Sequence, residues 1–433
     1  MKTAKFYALI IGKAVSIFSS PGGMDEQPVP GTSKFWQAGG MTNSCDIAVV
    51  GAGPVGGTLA LALAARGRKV LLVDKADLKP MENPDFDGRA YAIAQGCKPL
   101  LQEAGIWERL PFAPCPIKDI DVTDGKPGRA PSPLKLHFDH QAVGDDPFGW
   151  IIEARSVRVA LNAALAESGV IVRAPAEASV SRSAEGAVLR VGDETFTAKL
   201  VVAAEGRQSP LRNQAGISVT RLPYNQTAVV FALAHELPHN NVALEHFLPA
   251  GPLAVLPMTG TAEHPNVSAV VFTESDANAK LLYGMDDAAL AQHVRARLGK
   301  RLGGFSLAGR RWIYPLYAMY AARYYDTRLA LVGDAAHGVH PIAGQGLNLG
   351  LRDAAALLEL TSQAQDPGAD SVLRAYQAQQ RPINMAMLLG MDALDRLFST
   401  NFPPVRLVRD LGLAAVERMP RLKQRFMRAA MGR

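Results

Sequence analysis

Cysteine is scarce: Cys45, Cys97 and Cys115 are the whole complement of 433 residues. Three scattered thiols exclude a disulfide framework and a zinc site, and an odd count suits a reducing compartment. Also missing is any uninterrupted apolar run of about 18 residues, the length a membrane-spanning helix needs. Charge of one sign is not concentrated along the body of the chain. A net charge of +6 is too thinly spread to mark a nucleic-acid surface, and no ligand spacing argues for a metal. What is present, 48% hydrophobic and 20% charged residues, is an ordinary globular composition, long enough for two domains.

Two glycine-rich stretches organise the rest. From Asp46 the chain runs IAVV, then Gly51-Ala-Gly53-Pro-Val55-Gly56-Gly57, then the helical TLALALAARG, then KVLLVD ending at Asp74. Strand, turn, helix and strand make a right-handed βαβ unit with a pyrophosphate at the helix start and Asp74 on a ribose hydroxyl. The alternative reading of Asp74 is a solvated strand-end acid.

The other stretch, Gly333 to Asp353, follows the apolar run RLALV and leads into a helix with Leu347, Leu351, Ala354 and Leu358 on one face. Pro341, Gly344 and Gly346 let the chain turn sharply and lay bare backbone against a flat ligand. The unpaired N–H groups opening that helix favour negative charge in the ligand.

His340, Pro341, Ile342, Ala343, Gly344, Gln345, Gly346, Asn348, Gly350 and Asp353 fit a motif at fixed intervals. The stretch resembles the ubiquinone-biosynthesis hydroxylases, a branch of the FAD-dependent aromatic monooxygenases. Two further elements are similar in the same order, Asp87-Gly-Arg89 and the segment from Leu200 to Arg212. In the latter Glu205 stands where the family has Asp, while Ser209 and Arg212 match. The resemblance spans Asp46 to about Phe398 and implies bound FAD. Its contacts would be Gly51, Gly53, Val55, Gly56, Asp74, Lys75, Arg89, Arg155, Gly333, Asp334, Pro341, Gly344, Gln345, Gly346, Leu347 and Asn348. Arg89 would reach the pyrophosphate or the flavin edge. Arg155 is equally a ribityl contact or a surface charge at a helix start.

The implied fold is α/β, a Rossmann-like FAD-binding domain with an inserted mixed or antiparallel β-sheet substrate domain, as in p-hydroxybenzoate hydroxylase. Residues 41–107, 150–215 and 323–390 form the discontinuous cofactor domain, and 108–149 with 216–322 the substrate domain, where alternating runs such as AVVFALA and VSAVVF read as strands. Trp312 to Tyr317 reads as the link back to the cofactor domain. Residues 1–40 read as a disordered extension in front of an alternative start at Met41, and 391–433 as C-terminal helices. A methionine-rich stripe around Met385, Met387 and Met391 reads as core or an oligomer contact. The basic terminal piece VERMPRLKQRFMRAAMGR either lies on an anionic bilayer or is a solvated tail.

The resemblance implies ring hydroxylation of a lipophilic polyprenylated phenol in ubiquinone assembly, through a flavin hydroperoxide, with O2 as co-substrate and no catalytic protein side chain. His337 and His340 read as packing groups rather than bases. No second dinucleotide fingerprint identifies the electron donor, which is left between NAD(P)H and a ferredoxin. The expected location is cytoplasmic or peripheral on the inner membrane, with a ubiquinone-biosynthesis complex as partner. Two alternatives stand: a hydroxylase of a small soluble aromatic acid, and a non-catalytic flavin-binding subunit of a membrane-associated complex.

Overall fold

The computed structural model describes residues 42–82, 85–125, 135–340, 344–399 and 416–432. Apolar runs build the middle of the first sheet. β1 (Thr42–Val50), β2 (Val70–Val73), β8 (Ile171–Arg173), β11 (Glu194–Ala203) and β18 (Leu329–Leu331) lie parallel in the order β18-β11-β1-β2-β8. Strands covered on both faces carry continuous apolar residues, and all of β2 is buried. β17 (Tyr325–Asp326) closes one edge antiparallel, and β9 (Ala178–Arg182) with β10 (Ala187–Val191) extends β11. Helix α1 (Pro54–Ala65) packs against α2 (Ala154–Glu167) and α5 (Gln345–Ser362) in the same core.

The second sheet has the order β19-β16-β12-β15-β14-β13-β5-β6. Its strands are β5 (Asp119–Asp124), β6 (Lys135–Asp139), β12 (Val219–His235), β13 (Val242–Leu248), β14 (Gly251–Met258), β15 (Val267–Ser275), β16 (Phe305–Ala321) and β19 (His337–Gly338). Every neighbouring pair is antiparallel except β13 and β5. Period-two alternation sorts the two faces. Val229, Phe231, Leu253, Val255, Val270 and Phe272 pack under α3 (Asp276–Gly284) and α4 (Asp287–Leu298). Ala232, Ala234, Ala269 and Ala308 face the other way, against a small third sheet of β3 (Ala90–Ala94), β7 (Gly149–Glu153) and β4 (Cys115–Ile117).

Residues 108–149 do not stay together. β5 and β6 extend the second sheet, whereas β4 pairs with β7. Trp312–Tyr317 is not a free link but the middle of β16, which pairs with β12 across two register shifts. Leu388 and Met391 of α6 (Asp370–Ser399) join the main core. The basic terminal segment forms α7 (Pro420–Met431), which buries Met427 and Met431 in the cluster shared by the second and third sheets and leaves its other side exposed. No helix among the described residues is long and apolar enough to cross a membrane. The expectations for residues 1–40 lie outside the described residues.

Candidate functional site

The first glycine turn is shaped by protein contacts at two positions and left open at a third. A Cβ on Gly51, whose φ is +108°, would stand 2.3 Å from the Ala204 carbonyl oxygen, and one on Gly56 would stand 2.0 Å from the Gly51 oxygen. The close approach of strand and helix requires both glycines. On Gly53 a Cβ would meet nothing within 4 Å. No protein atom accounts for this glycine, whereas a pyrophosphate against the turn would. Gly53 opens α1 without a side-chain cap, so the helix start keeps donors for a ligand. Asp74 ties the turn to β2, its Oδ2 accepting the Ala52 N–H at 2.6 Å and its Oδ1 the Ala76 N–H at 2.8 Å.

The turn after β18 is held from behind. Gly333, at φ +58°, donates its N–H to Asp353 Oδ2 at 3.0 Å. The enclosed Asp353 also accepts from His337 Nε2 at 2.6 Å and from Asn384 Nδ2 at 2.8 Å. Burial pulls the His337 pKa down, but the Asp353 charge more than offsets it, leaving the ring above its ordinary value. Arg212, 1% exposed, donates to the Ala335 and Arg207 carbonyls, each at 3.0 Å. The matched Ser209 and Arg212 thus brace the turn. Glu205 accepts from Ser209 Oγ and the Leu211 N–H, with its carboxyl raised by burial.

Val55 joins the two motifs. A Cβ on Gly350 would stand 2.7 Å from Val55 Cγ2 and one on Gly333 3.4 Å from it, so the start of α1 lies directly on the second turn. Gly344 caps α5 at φ +61°, where its Cβ would fall 2.8 Å from Ala92 Cβ. Left-handed backbone and contact with β3 require this glycine, not a ring lying over its Cβ position. Gly346 is the open one, with nothing nearer than Val339 Cγ2 at 4.0 Å. The side-chain amide of Asn348 is spent on protein. It accepts the Ala94 N–H at 2.8 Å and donates to the Ala92 and Gly344 carbonyls at 2.9 and 3.1 Å, stitching β3 to α5. Gln345 is buried and Leu347 half-buried in the same first turn, while Pro341 lies outside the described residues.

The expected charged contacts are mostly paired. Arg89 bonds Asp87 through Nε and Nη2 and stacks 4.2 Å from the Trp312 ring, whose Nε1 donates to the Asp87 carbonyl. Arg155 pairs with Glu153 at 2.7 Å and lies over Phe112, and Asp334 pairs with Arg207 at 3.1 Å. Lys75 is exposed at the end of β2. His340 is enclosed against Gln226 at 3.1 Å, and burial lowers its pKa to about 4. The sequence reading missed Arg158, 8% exposed, which donates to the Ala52 carbonyl at 2.8 Å and so braces the first turn. Its spacing to Leu161 and Leu165, three and seven residues on, was the available signal.

Facing the start of α5 is the alanine-rich side of the second sheet. Ala92, which touches Gly344, packs in the same cluster as Ala232, Ala243 and Ala269. One row crosses this face in register: Trp312, Val230, Val271, Ala254, Glu245, Val122 and Leu136. Val230 and Val271, next to Trp312 in that row, are only half-buried.

Residues 44–390 match the family described as FAD binding domain. The ubiquinone hydroxylase UbiL of Rhodospirillum rubrum is 46% identical over 399 residues, 89% of each chain. The chain belongs to the ubiquinone-biosynthesis hydroxylases, FAD-dependent monooxygenases. Another member, the 3-demethoxyubiquinol 3-hydroxylase of Escherichia coli, is 33% identical over 404 residues, 90% of this chain and all of its own. The fold is shared with p-nitrophenol 4-monooxygenase PnpA of Pseudomonas putida, at a TM-score of 0.70 and 17% identity, covering 89% of this chain and 97% of that one. For this flavoprotein, the open faces of Gly53 and Gly346 and two uncapped helix starts brought together by Val55 suit the flat, anionic FAD.

Proposed function

We propose that this flavoprotein hydroxylates the aromatic ring of a polyprenylated phenol in ubiquinone biosynthesis. Bound FAD supplies the redox chemistry that activates O2 and transfers one oxygen atom to the ring. The chain's own part is binding, orientation and exclusion of water. Gly53 and the start of α1 would hold the pyrophosphate and Asp74 a ribose hydroxyl, while the N–H groups at the start of α5 would favour charge on the flavin's pyrimidine edge. The inner sheet face carries the substrate reading. Its central row has no Lys or Arg to pair with a small aromatic acid, and its alanines and valines give a prenylated ring a dry surface.

A strain lacking the gene should accumulate a prenylated phenol short of one ring oxygen, identified by mass spectrometry and cured by the intact gene. Normal ubiquinone in that strain would overturn the reading. NAD(P)H or a ferredoxin would deliver the electrons. The outward side of α7 exposes Arg421, Arg425, Arg428 and Phe426, which fits contact with an anionic bilayer where such a substrate resides. Salt-sensitive co-sedimentation with phosphatidylglycerol vesicles is expected, and equal binding to phosphatidylcholine vesicles would refute the charge-based contact.

A further inference from the structure

Glu245 breaks the apolar character of the inner sheet face. It alternates with Ala243 and Phe247 on β13, so its carboxyl shares their face, opposite Leu244 and Leu248 under the helices. Sheet register sets it between Ala254 and Val122. Phe398 of α6 stacks on the neighbouring Phe247 at 4.0 Å between ring centres, and Met427 and Met431 of α7 belong to the same buried cluster as Ala243.

In this enclosure Glu245 is 9% exposed, its Oε1 has no hydrogen-bond partner, and no ion pair reaches it among the described residues. A buried polar group left unmet opposes folding, and no group among the described residues compensates for this one. Burial alone pushes the carboxyl up to about 8, so near neutral pH it is mostly protonated and both donates and accepts. Two strand spacings along the same row, roughly 10 Å, bring one to Val271, which is only half-buried. A phenol ring resting on Val271 and Ala254 would bring an oxygen substituent within a glutamate's reach.

We infer that Glu245 is the protein's contact to a ring oxygen of the substrate and that this hydrogen bond sets which ring carbon faces the start of α5. The inference deepens the prenylated-phenol reading and rests on it. No proton or electron transfer is required, only a bond between the neutral carboxyl and a hydroxyl or methoxy oxygen. A site built to hydrogen-bond an oxygen rejects the analogue lacking it, because the protein's own group is then left unpaired.

The test uses the full chain loaded with FAD, titrated with 2-geranylphenol and with geranylbenzene, which lacks the oxygen, and followed through the flavin absorbance. Wild type should prefer the phenol. E245L should weaken 2-geranylphenol by about tenfold to a hundredfold and leave geranylbenzene unchanged, and E245M, closer in length, should do the same should E245L fold poorly. E245Q, which keeps a donor and an acceptor, should restore most of the affinity. E245L and E245M binding both compounds as wild type does would overturn the role of Glu245 and leave the substrate class standing. Wild type that binds neither compound but takes 4-hydroxybenzoate would overturn the substrate class, and this inference with it.

Discussion

Asp74, Asn348 and Asp353 surround the glycine turns, and each meets two or three donors or acceptors of the chain itself. On the inner face of the second sheet, Glu245 Oε1 and Thr273 Oγ1 are buried with no partner among the described residues. In the first region these side chains are finished, each taken up by the protein, and Gly53 and Gly346 leave backbone bare beside them. The second is apolar packing with unspent hydrogen-bonding capacity. A cofactor site can be built in advance from main chain and buried ions, because its ligand is always the same flat anion. A substrate face gains discrimination by leaving polar atoms for the substrate to satisfy.

The sharpest way to break this contrast is to unsettle the finished side. Asp353→Asn removes the charge opposite His337 and weakens the acceptor for the Gly333 N–H, so it should cost ~3 kcal/mol or more. The measurement is the urea midpoint, with flavin released early, and an unchanged midpoint would show that the network does not hold the turn.

The unfinished side predicts a pH effect of a few kcal/mol. Burial raises the Glu245 pKa from the ordinary value of 4.5 to about 8 in the folded protein. A group whose folded value lies above its unfolded one favours folding at low pH, and that contribution fades as pH climbs from about 4.5 to about 8. Glu245→Leu should therefore gain stability over wild type as pH rises from 5 to 8, by an amount on the order of a few kcal/mol. Parallel stability curves for the two proteins would contradict the buried, unpaired carboxyl.

The smallest effect on folding belongs to Gly53→Ala. Its Cβ enters open space, so stability should stay within ~1 kcal/mol while FAD binding weakens about tenfold, or ~1.4 kcal/mol. FAD affinity equal to wild type would remove the cofactor from that turn. Gly51→Ala is the contrast, since its Cβ would collide with the Ala204 carbonyl and the protein should not fold.

Much of the finished side was legible beforehand. Gly51, Gly53 and Gly56 between apolar strand and helix patterns, and Gly333 to Asp353 after RLALV, are local signals carried by neighbouring residues. The alternating runs of β12 to β15 were legible for the same reason. The parallel pairing of β13 with β5 was not, because no short-range pattern records which strand an edge will accept. Nor were the grip of Arg158 on Ala52, the contact of Arg212 with Ala335, or the commitment of Asn348 to β3, each of which joins residues distant in the chain.

By itself, the sequence determined the elements and their order, since turn chemistry and hydrophobic period act over a few residues. It also determined the family, through spaced motifs. Only the tertiary structure decided which glycines face protein and which face open space, and which of the many carboxylates is enclosed without a partner. Those properties depend on what arrives from elsewhere in the chain: Ala204 over Gly51, Ala92 over Gly344, and Phe398 on Phe247, two residues from Glu245.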